Sequence, residues 1–213
     1  MELSERAMRG FYQVGEEISN GKVDYQEGLL IGTEEDENHP SVINKVPLHG
    51  QNLYPKQVPE LKTDLQKWLK ELNRLGALIM EVIAESLGLK RTFFSEALCK
   101  EHYGMMVLLH YPDVPEDQKD EVQHLGEHCD YGFVTILMGD QKGLQAKNVN
   151  DEWIDVDPIP GHFVVNIGDM LEKATRRLYK STPHRVTNLG KERYSIPYHY
   201  EPGYDQKVVE LDF

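Results

Sequence analysis

Residues 126–137 read Gly126-Glu127-His128-Cys129-Asp130-Tyr131-Gly132-Phe133-Val134-Thr135-Ile136-Leu137. His128 and Asp130 stand two apart. In an extended segment that spacing turns both side chains to one face and Cys129 to the other. An imidazole beside a carboxylate supplies two ligands for a divalent metal. A third is on offer at His184, in Ser181-Thr182-Pro183-His184-Arg185-Val186, which opens a later β-like run. Two histidines and one carboxylate on one face of an octahedron suit non-haem Fe(II) and leave coordination positions open. Spacing alone is weak support. Each histidine taken singly also reads as a surface residue or a hydrogen-bonded core imidazole.

Around this stretch the texture is short β-like runs separated by turns. Met105–Tyr111, Phe133–Met138, Gly143–Ala146, Trp153–Asp155, His162–Asn166, His184–Thr187 and Tyr194–Tyr200 are the expected strands. Runs this short and evenly spaced predict a sandwich or barrel. No strand–helix alternation passes through this half, which argues against a parallel doubly wound sheet. There is no GxGxxG, Walker A or GxSxG pattern, so the usual nucleotide-binding and serine-hydrolase signatures are missing.

Upstream, Leu61, Leu65, Trp68, Leu69, Leu72, Leu75, Ile79, Val82, Ile83 and Leu87 recur at spacings of three and four. That stripe predicts one long amphipathic helix packed on the core. Pro59 suits its start and Gly88 its end. A short second helix is expected within Phe93–Lys100. The first sixty residues are turn-rich and lack a period, so they read as an irregular cover. The expected class is mainly β with flanking helices.

Composition narrows the functions. The chain has 213 residues with 36 Asp and Glu against 23 Lys and Arg, a formal charge of −13. So acidic a chain lacks the basic footprint that phosphate backbones and anionic membranes require. Two cysteines and no CxxC pair exclude a disulfide scaffold and a thiolate zinc site. No secretory signal and no membrane-length apolar run are apparent, so a cytoplasmic location is the expectation.

Arg193-Tyr194-Ser195 adds a further element nine residues after His184. By strand alternation Arg193 and Ser195 share a face. A guanidinium fork with a hydroxyl beside it can clamp a carboxylate. Alone, this tripeptide reads as an exposed strand arginine; its value lies in following the histidine and aspartate in order. The segments GEHCDYGFVTIL (126–137), GLQ (143–145), PGHFVVNIGDMLEKAT (160–175), YKSTPHRV (179–186) and RYSIPYHYEPG (193–203) together resemble the Fe(II)/2-oxoglutarate-dependent oxygenases of the isopenicillin-N-synthase-like group. RGFYQVGEE (9–17), DYQEGLLIG (24–32) and PLHGQNLYP (47–55) resemble the N-terminal cover of that group.

The resemblance implies a double-stranded β-helix, or jelly roll. Residues 1–60 would be a cover, 61–103 supporting helices and 104–213 the core, in one unit lacking terminal parts of longer relatives. His128, Asp130 and His184 would hold iron and form the catalytic centre. Arg193, Ser195 and Tyr111 would bind the cosubstrate 2-oxoglutarate, and O2 would be the oxidant. Many plant members carry Asn where this chain has Leu109. The implied activity is oxidation, chiefly hydroxylation, of a C–H bond of a small organic molecule, releasing succinate and CO2, with a monomer the favoured state. Parity on the last strand adds His199 and Glu201 as candidates for substrate contact, with wall or rim positions as the alternative. An Fe(II) oxidase that does not use 2-oxoglutarate and an inert ligand-binding jelly roll are the competing readings.

Overall fold

The computed structural model describes residues 2–118, 122–187 and 190–212. Its first half holds strands β1 (Gly10–Tyr12), β2 (Ile18–Ser19), β3 (Lys22–Asp24) and β4 (Glu27–Gly32), and helices α1 (Pro40–Ile43), α2 (Glu60–Ser86) and α3 (Phe93–Ala97). Then follow β5 (His102–Tyr111), β6 (Val122–Gln123), β7 (Leu125–His128), β8 (Val134–Gly139), β9 (Leu144–Lys147), β10 (Trp153–Asp155), β11 (Val164–Ile167), α4 (Asp169–Ala174), β12 (His184–Val186) and β13 (Arg193–Gly203).

The strands form a six-stranded sheet in the order β1-β4-β5-β13-β8-β11, facing a four-stranded sheet in the order β10-β9-β12-β7. A small third sheet joins β2, β3 and β6. Sequence neighbours seldom pair within the large sheet. The long strand β13 lies between β5 and β8, antiparallel to both. This is the jelly-roll core expected from the sequence.

The core has two compartments, one on each face of the large sheet. Leu29 and Ile31 of β4 join the outer cluster against α2, while Leu30 joins the inner cluster between the sheets. Alternation sends successive side chains to opposite faces, and here both faces are apolar because both are covered. That explains a difference from the sequence reading. The first sixty residues, expected to be irregular, contribute β1 and β4 to the main sheet. A strand buried on both sides shows no polar alternation to betray it.

Helix α2 packs on the outer face through Leu65, Leu69, Leu72, Met80, Ile83 and Ala84, each less than a tenth exposed. Gly76 makes the closest approach: a Cβ there would lie 2.4 Å from Cδ2 of Tyr200 on β13. The predicted stripe was slightly too wide. Trp68 and Val82 are 48% and 56% exposed, because they sit at the flank of the buried face. The inner cluster, with Val107, Leu109, Leu144 and Val186, forms the floor on which the polar site is built.

Candidate metal and cosubstrate site

Strand register brings the two histidines together. His184 on β12 lies directly opposite His128 on β7, and their ring centroids are 4.2 Å apart. His128 ends its strand, and Asp130 follows in the turn. Nε2 of His128 and Nε2 of His184 each stand 3.7 Å from Oδ1 of Asp130. One ligand atom from each residue lies within 4.8 Å of the others.

The protonation pattern fits a cation. Nδ1 of His128 donates to the Gly126 carbonyl at 2.9 Å, and Nδ1 of His184 donates to the Thr182 carbonyl at 3.0 Å. These bonds place the protons on Nδ1 and leave both Nε2 lone pairs facing Asp130. Burial lowers the pKa of His184, against the opposing pull of Asp130. Asp130 is 7% exposed. Burial alone would raise its pKa, but the neighbouring His199 and His184 imidazoles and two hydrogen bonds outweigh that and lower it. Those bonds reach Oδ2 from the Thr135 hydroxyl at 2.5 Å and the Asn166 amide at 2.6 Å. Oδ1 therefore remains for a metal. Two imidazoles with their Nε2 atoms turned to Asp130, one carboxylate oxygen and no thiolate form a donor set suited to Fe(II).

The three residues expected to bind a carboxylate cosubstrate are also aligned by register. Arg193 on β13 is paired with Tyr111 on β5, and Ser195 with Leu109. The guanidinium carbon of Arg193 lies 4.9 Å from the centre of the Tyr111 ring. Arg193 and Ser195 are each 3% exposed, and Tyr111 is 1% exposed. Burial pushes the Tyr111 phenol up to about 12 despite Arg193 nearby, so it stays a donor. Among the described residues, Nη1 of Arg193 is buried without a hydrogen-bond partner. An unpaired buried charged donor costs more than about 1–3 kcal/mol, so the site favours an incoming carboxylate.

Both groups open on one cavity of about 180 Å³ between the sheets. Leu30, Val107, Leu109, Leu125, Leu137 and Val186 supply apolar wall. His199 lines it too. Its Nδ1 donates to Thr135 Oγ1 at 3.1 Å while Thr135 donates onward to Asp130, so its Nε2 is the free acceptor. Glu201, expected to share this face, does not line the cavity. The last β8 partner along β13 is Val134, opposite Tyr200. Glu201 lies past that end, close under Gly132, and burial with Asp130 nearby raises its carboxyl to about 7.

The sequence reading missed Thr135 and Asn166, the two groups that hold Asp130. Asn166 had a signal: it alternates with Val164 on an otherwise apolar inward face of β11. It also missed Tyr12, Glu17 and Gln26, which line the cavity from the N-terminal segment. Nothing local in a turn-rich stretch marks those three.

A jelly roll that gathers two half-buried histidines, a buried aspartate and a buried arginine with one unpartnered nitrogen on one cavity fits the class of non-haem iron oxygenases that take a carboxylate cosubstrate. The chain belongs to the 2OG-Fe(II) oxygenase superfamily, whose family profile matches residues 102–202. It is 37% identical to a protein of Dictyostelium discoideum named as an iron/ascorbate oxidoreductase, aligned over 100% of this chain and 64% of that protein. Among solved structures, a 2OG-Fe(II) oxygenase family protein from Caulobacter crescentus is 30% identical with a TM-score of 0.82, over 96% of this chain and 67% of that one. The structure of JOX2 in complex with 2OG, Fe and JA is 31% identical with a TM-score of 0.80, over 98% of this chain and 59% of that one. The chain thus spans about 64% of the length of the curated relative. Among the described residues no helix is long and apolar enough to cross a membrane.

Proposed function

We propose that this chain is the core of an Fe(II)- and 2-oxoglutarate-dependent oxygenase acting on a C–H bond of a small organic substrate. The observation that carries this reading is the pairing of two preorganised sites in one cavity. A two-histidine, one-carboxylate cluster with free ligand atoms lies beside a buried guanidinium with an unpartnered nitrogen.

His128, Asp130 and His184 would hold the metal. Fe(II) bound there supplies O2 activation coupled to oxidative decarboxylation of 2-oxoglutarate to succinate and CO2. The chain's own residues do the rest by placement. Gly126 and Thr182 carbonyls fix the imidazole tautomers, and Thr135 with Asn166 fixes the aspartate. Arg193 and Ser195 anchor the distal carboxylate of the cosubstrate, with Tyr111 flanking the guanidinium. The aliphatic wall excludes water and suits a substrate with apolar area. His199 offers one acceptor nitrogen for orienting it. The likeness to JOX2, solved with 2OG and Fe, supports the same pair of ligands here.

The test is succinate release from purified protein with Fe(II), O2 and a panel of small carboxylic and amino acids. Succinate that depends on added 2-oxoglutarate and on Asp130 supports the proposal. Substrate oxidation without any 2-oxoglutarate requirement favours an oxidase. Metal binding without turnover or cosubstrate binding favours an inert module.

A further inference from the structure

A second cluster with the same donor set lies at the opposite end of β5 from Tyr111. Glu35, His39 and His49 each present one ligand atom within 4.8 Å of the others. None belongs to the barrel cavity. They border a separate surface cavity of about 490 Å³, where Asp36, Glu101 and Asp205 add acidic groups and His102 a further imidazole.

The cluster is held from several directions. Glu35 Oε2 accepts the Gly50 N–H at 2.6 Å, leaving Oε1 turned to His49 Nδ1 in a short contact. Backbone around His49 is pinned on both sides. Arg6 Nη1 donates to the Val46 and His49 carbonyls, each at 3.0 Å. The Tyr103 hydroxyl, itself accepting from Arg9 at 2.8 Å, donates to the Leu48 carbonyl at 3.1 Å. The His49 ring rests edge-on to Tyr204 and parallel to His39, with centroids 5.0 Å and 6.1 Å away. Side chains of Glu35 and His49 are 9% and 14% exposed. Among the described residues, the exposed His39 side chain accepts one long hydrogen bond, 3.3 Å from the Ser41 N–H to its Nδ1.

We infer that Glu35, His39 and His49 form a second divalent-cation site, suited to a late first-row ion such as Co(II) or Zn(II). Imidazole and carboxylate ligands favour that class over Mg(II) or Ca(II), which prefer all-oxygen shells. The ion takes one ligand atom from each of Glu35, His49 and His39. The acidic rim draws the cation in.

Equilibrium dialysis of the purified chain against Co(II), with metal counted per chain, tests this. The wild type should hold about two ions, one for each cluster of two histidines and a carboxylate. Glu35→Gln should hold one, Asp130→Ala one, and the double variant none. His39→Ala, a change on an exposed side chain, should weaken the second ion at least about tenfold, as loss of one ligand does; it decides the matter if Glu35→Gln fails to fold. A single wild-type ion that Asp130→Ala removes would overturn the inference, as would two ions retained by both Glu35→Gln and His39→Ala. A single ion removed by Glu35→Gln but kept by Asp130→Ala would uphold it while counting against the barrel centre.

Discussion

His184 stands across the β7–β12 ladder from His128 with the ring centroids 4.2 Å apart, so sheet register brings the two histidines together, while Asp130 joins them from the segment after β7. Side chains in a strand alternate faces, and a slip of one residue would turn His184 out of the barrel. The same device aligns Arg193 with Tyr111. The two halves of the site are therefore tied to one backbone framework.

Removing the amide that holds the aspartate should loosen the metal. Asn166 and Thr135 both donate to Asp130 Oδ2. Asn166→Ala should weaken metal affinity by about 10–100-fold while leaving the fold intact, as loss of an outer-sphere partner does. Titration with Mn(II), followed by the fall in free-ion electron paramagnetic resonance, measures it. Unchanged affinity would show that Asp130 needs no support.

The cosubstrate clamp should divide unequally between its members. Arg193→Ala removes a buried charge partner and should raise the Kd for 2-oxoglutarate by roughly 30-fold or more, the scale of about 2–5 kcal/mol. Ser195→Ala removes one hydrogen bond to a charged group and should cost about 1.5–3 kcal/mol. Arg193→Lys should not restore binding, because a point charge replaces a fork. Isothermal titration with Mn(II)-loaded protein reads all three.

Packing at Gly76 should be intolerant. A methyl there would meet the Tyr200 ring at 2.4 Å. Gly76→Ala gains about 1 kcal/mol of helix propensity but overpacks the interface at about 1–3 kcal/mol. We expect a net lower midpoint in urea unfolding, with the slope unchanged. A higher midpoint would mean that α2 can shift off β13 freely.

Stability should fall with rising pH through one histidine. His110 bridges Glu27 through Nδ1 and Glu192 through Nε2, each at 2.8 Å. Burial opposes the charged form, yet the two carboxylates prevail and raise its pKa above 6.5. A folded pKa above the unfolded one means the native state binds the proton more tightly. The stabilisation is complete below about 6.5, the unfolded value, and is lost as pH climbs through the raised folded value. Urea midpoints measured across that window should decline in the wild type and flatten in His110→Gln. Parallel declines in both proteins would reassign the effect.

Much of this architecture was legible because it rests on local period or on parity. The α2 stripe, the short strands and the shared face of Arg193 and Ser195 are such features. His128, Asp130 and His184 could be nominated from residue type, but only strand pairing brings residue 184 to residue 128. Strand β4 escaped because its two buried faces erase the alternation that marks a strand. Glu201 shares the parity of His199, but parity along β13 says nothing of where its partner β8 ends, and Glu201 lies one residue past the last β8 pairing. The grip of Asn166 on Asp130 joins residues 36 apart, a distance that no local pattern spans.

The measurement that bears most directly on the central claim is anaerobic visible absorption of the chain loaded with Fe(II) and then titrated with 2-oxoglutarate. Chelation of iron at His128, Asp130 and His184 beside an Arg193-anchored cosubstrate predicts a metal-to-ligand charge-transfer band that saturates with 2-oxoglutarate. The band should be missing in Asp130→Ala and should need far more cosubstrate in Arg193→Ala. Iron that binds without such a band, or a band unchanged in both variants, would contradict the account.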